Sequence, residues 1–339
     1  MNSGELAEIA QQMVANHRGL LAADESTGTI EKRLKAVGVV STEETRRSYR
    51  ELLFTTHGME KFISGVILYD ETIRQKTRNG TPFPEYLAHL GVIPGIKVDK
   101  GAKPLANSAG EKITEGLDGL RERFQDYYRL GAHFAKWRAV ITIGAGIPTD
   151  YCVHANAQAL ARYAALAQET GLTPIVEPEV LMDGAHTIER CAEVTAGVLK
   201  TVFDELYVHR VALEGMILKP NMVISGMQCP QQATPEQVAQ ETLRVLKARV
   251  PAAVPGIMFL SGGQGPELAS ENLNAINALG PAPWKLSFSY GRALQAQSLE
   301  AWRGHGDKIQ AGQETFLLRA RCNSAACDGK YTSRMEKAA

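Results

Sequence analysis

Apolar residues in this chain fall into two alternating patterns. Short apolar runs end abruptly in charged or polar residues, and between them lie longer stretches where apolar residues recur every three or four positions. The short runs are GLLAADEST (19 to 27), FISGVILYDE (62 to 71), VIPGIKVDK (92 to 100), FAKWRAVI (134 to 141), TPIVEPEV (173 to 180), GMILKPNMV (215 to 223), GIMFLSGG (256 to 263) and APWKLSFSYGR (282 to 292). They read as eight buried strands. The helical period is clearest at Ala185 to Arg210, where Ile188, Cys191, Val194, Val198 and Val202 share a face. Glu43 to His57, Thr114 to Gly131, Asp150 to Gly171 and Thr234 to Val250 show it too, the last opening on a threonine cap and a proline at the first helical position. Strands alternating with helices predict an α/β fold, a parallel sheet closed into one barrel.

Polar stretches at Arg74 to Pro84 and Gly101 to Gly110 predict surface insertions. One domain is expected over residues 1–339, with an amphipathic N-terminal helix and barrel strands between about 19 and 292. A C-terminal helix, Lys308 to Cys327, and a mobile polar tail are expected to fill about 305 to 339.

Composition narrows the function classes. With 339 residues, 44% of them hydrophobic, the chain can bury one large core, and 37 basic residues balance 37 acidic ones. That balance leaves no global footprint for nucleic acid or an anionic membrane. No apolar run is long enough to cross a bilayer, and the first residues lack a signal peptide's apolar core. The five scattered cysteines contain no C-x-x-C pair and suggest reduced thiols, so a cytoplasmic location is expected.

The chemistry collects at the strand ends. Asp24 ends the first strand, Lys97 and Asp99 the third, Lys136 and Arg138 the fourth, Glu177 and Glu179 the fifth, and Lys219 the sixth. Members of each pair are two residues apart and so share a face. Singly, a carboxylate here reads as a helix cap, and Lys219 as a snorkelling lysine with its head in solvent. Together they form a buried cluster of mixed charge, unfavourable unless its members pair or bind a ligand. Deprotonating a free lysine, pKa about 10.4, costs roughly 4.6 kcal/mol at pH 7. Lys136 beside Lys219 would lower that cost by like-charge repulsion on one of them, and Glu177 and Asp24 are suited to pass protons. A neutral lysine attacks a ketone to form an iminium, an electron sink for breaking a carbon–carbon bond.

FLSGGQG places Ser261, Gly262 and Gly263 after the seventh strand, and SYGRAL places Gly291 and Arg292 after the eighth, where barrel enzymes bind phosphate. A plain tight turn remains the alternative for the glycines alone. IGAGIP, residues 143 to 148, lacks the third glycine of a dinucleotide fingerprint, and the histidines show no metal-ligand spacing.

The blocks LLAADESTGTIEKRL, GVILYDETIRQK, GIKVDKG, FAKWRAV, IVEPEVL, LKPNMV, FLSGGQ and SYGRALQ, in this order, closely resemble class I fructose-1,6-bisphosphate aldolase, nearly end to end. The resemblance implies a TIM barrel, a homotetramer, and reversible cleavage of fructose 1,6-bisphosphate to dihydroxyacetone phosphate and glyceraldehyde 3-phosphate without metal or other cofactor. The partners it implies are therefore sugar phosphates. It makes Lys219 the Schiff-base lysine, Glu177 the acid/base of carbinolamine dehydration and Glu179 its supporting partner. Asp24 would position the lysine and assist removal of the C4 hydroxyl proton, and Lys136 would be the second active-site lysine. Arg138, Lys97, Ser26 and Thr29 would serve the C6 phosphate; Ser261, Gly262, Gly263, Gly291 and Arg292 would hold the C1 phosphate, with Arg33 beside them. Animal members continue into a longer tail ending in tyrosine. Here Tyr331 is followed by TSRMEKAA and is not expected to take that tyrosine's role in enamine proton exchange.

A barrel kept only for binding, with a vestigial sugar site, predicts loss of a buried charge, and none is missing. A Schiff-base aldolase for fructose 1-phosphate or sedoheptulose bisphosphate is the neighbouring alternative, and the absent histidine cluster disfavours a zinc-dependent aldolase.

Overall fold

The computed structural model describes residues 3–337. Eight parallel strands close a barrel: β1 (Gly19–Ala22), β2 (Ile63–Leu68), β3 (Ile93–Lys97), β6 (Phe134–Ile141), β7 (Thr173–Val180), β8 (Ile217–Leu218), β9 (Gly256–Phe259) and β10 (Lys285–Tyr290). Two further strands, β4 (Ala102–Pro104) and β5 (Lys112–Thr114), form an antiparallel hairpin outside it. All eight expected strands are present, and β10 pairs β1 to complete the closure.

The alternation of side chains creates two cores. Residues facing outward, such as Leu21, Trp137, Val176 and Leu218, are buried against the ring of helices. Those facing inward form a smaller cluster of Leu20, Ala22, Ile67, Phe134, Ile175, Ile217 and Met258. Ala10, Met13 and Val14, from the helix Ser3–Met13 and the residue after it, join that inner cluster and plug the amino end of the barrel. The plug needs space. On β3 a Cβ at Gly95 would meet the ring of Phe134 at 2.2 Å, so only glycine lets that ring fill the barrel floor.

Inward positions change character along each strand. Phe134 precedes Lys136, Ile175 precedes Glu177, and Ile217 precedes Lys219, each by two residues. The amino half of the interior is therefore apolar and the carboxyl half charged.

Several boundaries differ from the sequence expectation. The helix expected from Thr114 begins only at Leu120; Thr114 ends β5 and its Oγ1 donates to the carbonyl of Arg138 at 2.8 Å. Gly116 and Gly119, both at positive φ, interrupt the helical path between them. The expected insertion at 101–110 supplies the first arm of this hairpin. β8 is only two residues long, because Pro220 has no N–H to continue the ladder after the Lys219 amide donates to Val176 at 2.8 Å. Thr234 caps its helix as expected, in a reciprocal box with Gln237.

The expected polar tail makes contacts with the C-terminal helix at Tyr331 and Glu336. Glu336 pairs with the fully buried Arg319 of the helix Ile309–Cys327, and the Tyr331 hydroxyl donates to Glu336 at 2.7 Å. Polar composition suggested a free tail, but the arginine buried in the helix provides its anchor.

Candidate active site

The carboxyl ends of the strands surround a cavity of about 450 Å³. Its lining includes Lys219, Glu177, Asp24, Lys136 and Glu179 from the sequence reading, and also Arg33, Ser26, Thr29, Lys97 and Arg138. Ser261, Gly262, Gly263, Gly291 and Arg292 complete it, so of the residues singled out for the site only Asp99 lies outside this lining. A larger cavity, about 1090 Å³, opens at the amino end of the barrel between Val14–His17 and Trp284–Ser287, and none of those residues lines it.

The centre of the site is a buried ionic chain. Lys219 Nζ is 3.1 Å from Glu177 Oε1; Lys136 Nζ is 3.3 Å from Glu177 Oε2 and 2.7 Å from Asp24 Oδ2. Lys136, Glu177 and Lys219 are each no more than 4% exposed. Ionic groups this far from water persist only because each has an opposite charge in contact. Burial alone would push Asp24 and Glu177 upward in pKa, yet Lys136, with Lys219 as the next contributor, holds both below the usual carboxylate range. Burial would likewise lower Lys136, but Asp24 and then Glu177 raise it well above the ordinary lysine range. The two carboxylates thus favour the charged form of Lys136, whereas like-charge repulsion alone left open which lysine would stay charged.

Glu179 is engaged differently from its expected role. Its partner is the guanidinium of Arg138 rather than Glu177, because it lies two residues further along β7, level with the rim. Asp99 does not line the cavity; it accepts from the amides of Arg138 and Gly101 at 3.2 and 3.1 Å and lies 3.6 Å from Lys97, bracing the turn into β4.

Two ends of the cavity suit anions. At one, Gly262 and Gly263 have positive φ, which turns the loop after β9 back over the site, and a Cβ at Gly263 would be 3.0 Å from Arg292 Nη2. Gly291 begins the helix Arg292–Trp302 with no side-chain cap, leaving its first N–H groups directed at the cavity. Gln264 braces this loop by donating to the Ser261 carbonyl at 2.9 Å and is itself held by Asn272 at 2.6 Å. At the other end lie Lys97 and Arg138; Ser26 and Thr29, whose hydroxyls are 3.1 Å apart, complete the charged and polar donors. Ser26 and Lys97 also share an adjoining cleft, which brings those two together.

Sequence reasoning missed Glu25, Ser289, Met182 and Met227, which also line the cavity. Glu25 stood beside Asp24 in the same run and was the findable one. Met182 and Met227 come from loops and carry no chemical signature. Among the described residues no group of three or more His, Cys, Asp or Glu side chains is arranged to hold a metal ion.

A family model for class I fructose-bisphosphate aldolase, termed glycolytic, matches residues 5–339. The chain belongs to the class I fructose-bisphosphate aldolase family. It is 56% identical over 332 residues to a probable fructose-bisphosphate aldolase class 1 of Xanthomonas campestris, covering 98% of this chain and 99% of that one. It is 54% identical to fructose-bisphosphate aldolase 1 of Toxoplasma gondii, over 96% of this chain and 91% of that one. A solved fructose-bisphosphate aldolase structure from Plasmodium falciparum superposes with a TM-score of 0.97 at 52% identity, covering 98% of this chain and 96% of that chain. The protein is thus an aldehyde-lyase built on a TIM barrel.

Proposed function

We propose that this aldolase cleaves fructose 1,6-bisphosphate reversibly to dihydroxyacetone phosphate and glyceraldehyde 3-phosphate through a Schiff base on Lys219, with no metal. The observation that supports this reading most directly is the buried chain from Lys219 through Glu177 and Lys136 to Asp24. Lys219 passes a proton to Glu177, 3.1 Å away, and its free amine attacks the C2 ketone. A C–N bond forms as the C=O π bond opens, and the proton lost from the attacking nitrogen goes to the former carbonyl oxygen. Glu177 then donates its proton to the departing hydroxyl, water leaves, and the iminium forms. Lys136, kept cationic by its two carboxylates, holds Glu177 beside the amine.

Asp24, ionised, accepts the C4 hydroxyl proton. The C3–C4 bond breaks, its electron pair moves into the iminium to give an enamine, and the aldehyde departs. Protonation at C3 and hydrolysis return dihydroxyacetone phosphate and Lys219. Glu179 supports the site by orienting Arg138 toward the C6 phosphate, with Lys97, Ser26 and Thr29 beside it. Ser261, Gly262, Gly263, Gly291, Arg292 and Arg33 bind the C1 phosphate. A cavity with anion-binding groups at both ends favours a bisphosphate over fructose 1-phosphate.

Relatives from Arabidopsis thaliana are named cytosolic, and no described helix is long and apolar enough to cross a membrane, which supports a cytoplasmic enzyme. A homotetramer is the family expectation, and the exposed Tyr207 and Val208, 85% and 69% accessible, offer apolar area for it.

Borohydride reduction with dihydroxyacetone phosphate in the presence of EDTA, followed by peptide mapping, tests the mechanism. An adduct on Lys219 with loss of activity is expected. A folded protein with no adduct, or with one on another lysine, would overturn it.

A further inference from the structure

At the rim of the cavity one carboxylate serves two guanidinium groups. Glu25 is buried directly after Asp24. Its Oε1 accepts from Arg33 and, at 3.0 Å, from Gln295 Nε2, while its Oε2 lies 2.6 Å from Arg50 Nη2. Gln295 also donates to the Ala22 carbonyl at 2.7 Å, which ties Glu25 to the helix whose first turn faces the cavity.

The two arginines have different surroundings. Arg33 is partly exposed and lines the cavity, and its Nη2 lies 4.0 Å from where a Cβ at Gly291 would sit. Arg50 does not line the cavity; its side chain is 3% exposed, and its guanidinium packs 5.9 Å from the Tyr49 ring. Its Nε and Nη1 have no hydrogen-bond partner among the described residues. Burying a cation with two donors unused is unfavourable, and Arg33 alone would already neutralise Glu25. The second cation has no explanation in the resting pair.

We propose that Arg50 is a positioning residue, a fixed counter-cation that keeps Glu25 paired when Arg33 leaves it for the substrate phosphate. This rests on the reading of Arg33 as a phosphate ligand. With Arg33 as its sole partner, Glu25 would be stranded in a buried site each time Arg33 turned to substrate, and would compete for it. Arg50 stays in place because it is enclosed, so the exchange leaves no carboxylate unpaired. Arg50 makes the contact between Glu25 and Arg33 releasable.

Steady-state kinetics with fructose 1,6-bisphosphate on four folded variants test this. Arg50→Met is expected to raise KM about ten-fold with kcat within about two-fold of the parent. Adding Glu25→Gln to Arg50→Met is expected to bring KM back to within about three-fold, since Arg33 then has no competitor. Glu25→Gln alone is expected to leave KM equal to or below the parent value. A parent-like KM in Arg50→Met, a double variant no better than Arg50→Met, or a raised KM in Glu25→Gln each overturns the proposal. If Arg50→Met does not fold, Glu25→Gln decides by the same criterion. Arg33→Ala separates the two levels: an unchanged KM there removes the phosphate role of Arg33 and this inference with it. A raised KM in Arg33→Ala beside a parent-like Arg50→Met removes the Arg50 role alone.

Discussion

Lys219 and Lys136 grip opposite oxygens of a single carboxylate, at 3.1 Å from Oε1 and 3.3 Å from Oε2 of Glu177. The arrangement makes Glu177 the shared counter-ion of the two lysines. Asp24 holds Lys136 from the far side at 2.7 Å, so the second lysine has two anions and the first has one.

Lys219→Arg keeps the charge and removes the amine proposed as the nucleophile. Cleavage activity is expected to fall at least about 10⁴-fold, with near-native secondary structure by circular dichroism. Retained turnover in this variant would mean that another amine forms the Schiff base.

Glu177→Gln leaves both lysines without their common carboxylate and removes the proposed acid of dehydration. A fall in kcat of about 10²- to 10⁴-fold is expected. The rate of borohydride trapping with dihydroxyacetone phosphate should slow in parallel, because iminium formation is the affected step. Unchanged trapping with slowed cleavage would move Glu177's role to a later step.

The pH dependence of stability follows from the same chain. Asp24 and Glu177 are held below the ordinary carboxylate range, so their contribution is present above their unfolded pKa values, about 3.9 and 4.3, and is lost as pH falls through the lower folded values. Lys136 is raised, so its contribution is complete below about 10.4 and is lost as pH rises through the higher folded value. Denaturant titrations of the parent and of Asp24→Asn are expected to differ by a constant amount near neutrality and to converge in acid. Convergence already at neutral pH would contradict the pairing.

Gly95→Ala inserts a methyl 2.2 Å from the Phe134 ring in the barrel floor. A loss of about 1–3 kcal/mol of stability is expected from overpacking. Gly95→Ala with Phe134→Leu should recover part of it, measured by chemical denaturation; no recovery would assign the loss to the strand backbone instead.

Arg319→Met removes a fully buried cation that donates to the Pro266 carbonyl at 3.0 Å and to Ser270 Oγ at 2.6 Å as well as to Glu336. Losing the pair is expected to cost about 3–5 kcal/mol and to open the tail around Tyr331 to limited proteolysis. A tail equally resistant in parent and variant would show that the anchor lies elsewhere. Tyr331 itself donates to Glu336 and lines a surface cleft separate from the strand-end cavity.

Much of the site was legible because strand geometry is simple. A period of two puts Lys136 with Arg138 and Glu177 with Glu179 on shared faces, and barrel closure brings the ends of distant strands together. Glu25 escaped notice because a second acid beside Asp24 carries no spacing signal. Arg50 escaped because it reads as one of several charges on a helix, and only packing reveals that it turns inward.

The linear sequence by itself determined the eight-fold alternation of strand and helix, the apolar-to-charged change along each inward strand face, and the family. Those follow from short-range periodicity and contiguous motifs. Tertiary structure decided which charges touch: that Lys136 bridges Asp24 and Glu177, that Glu179 belongs to Arg138, and that Glu25 sits between two arginines. Ion pairing depends on separations of a few ångströms between residues far apart in the chain, and barrel closure sets those separations.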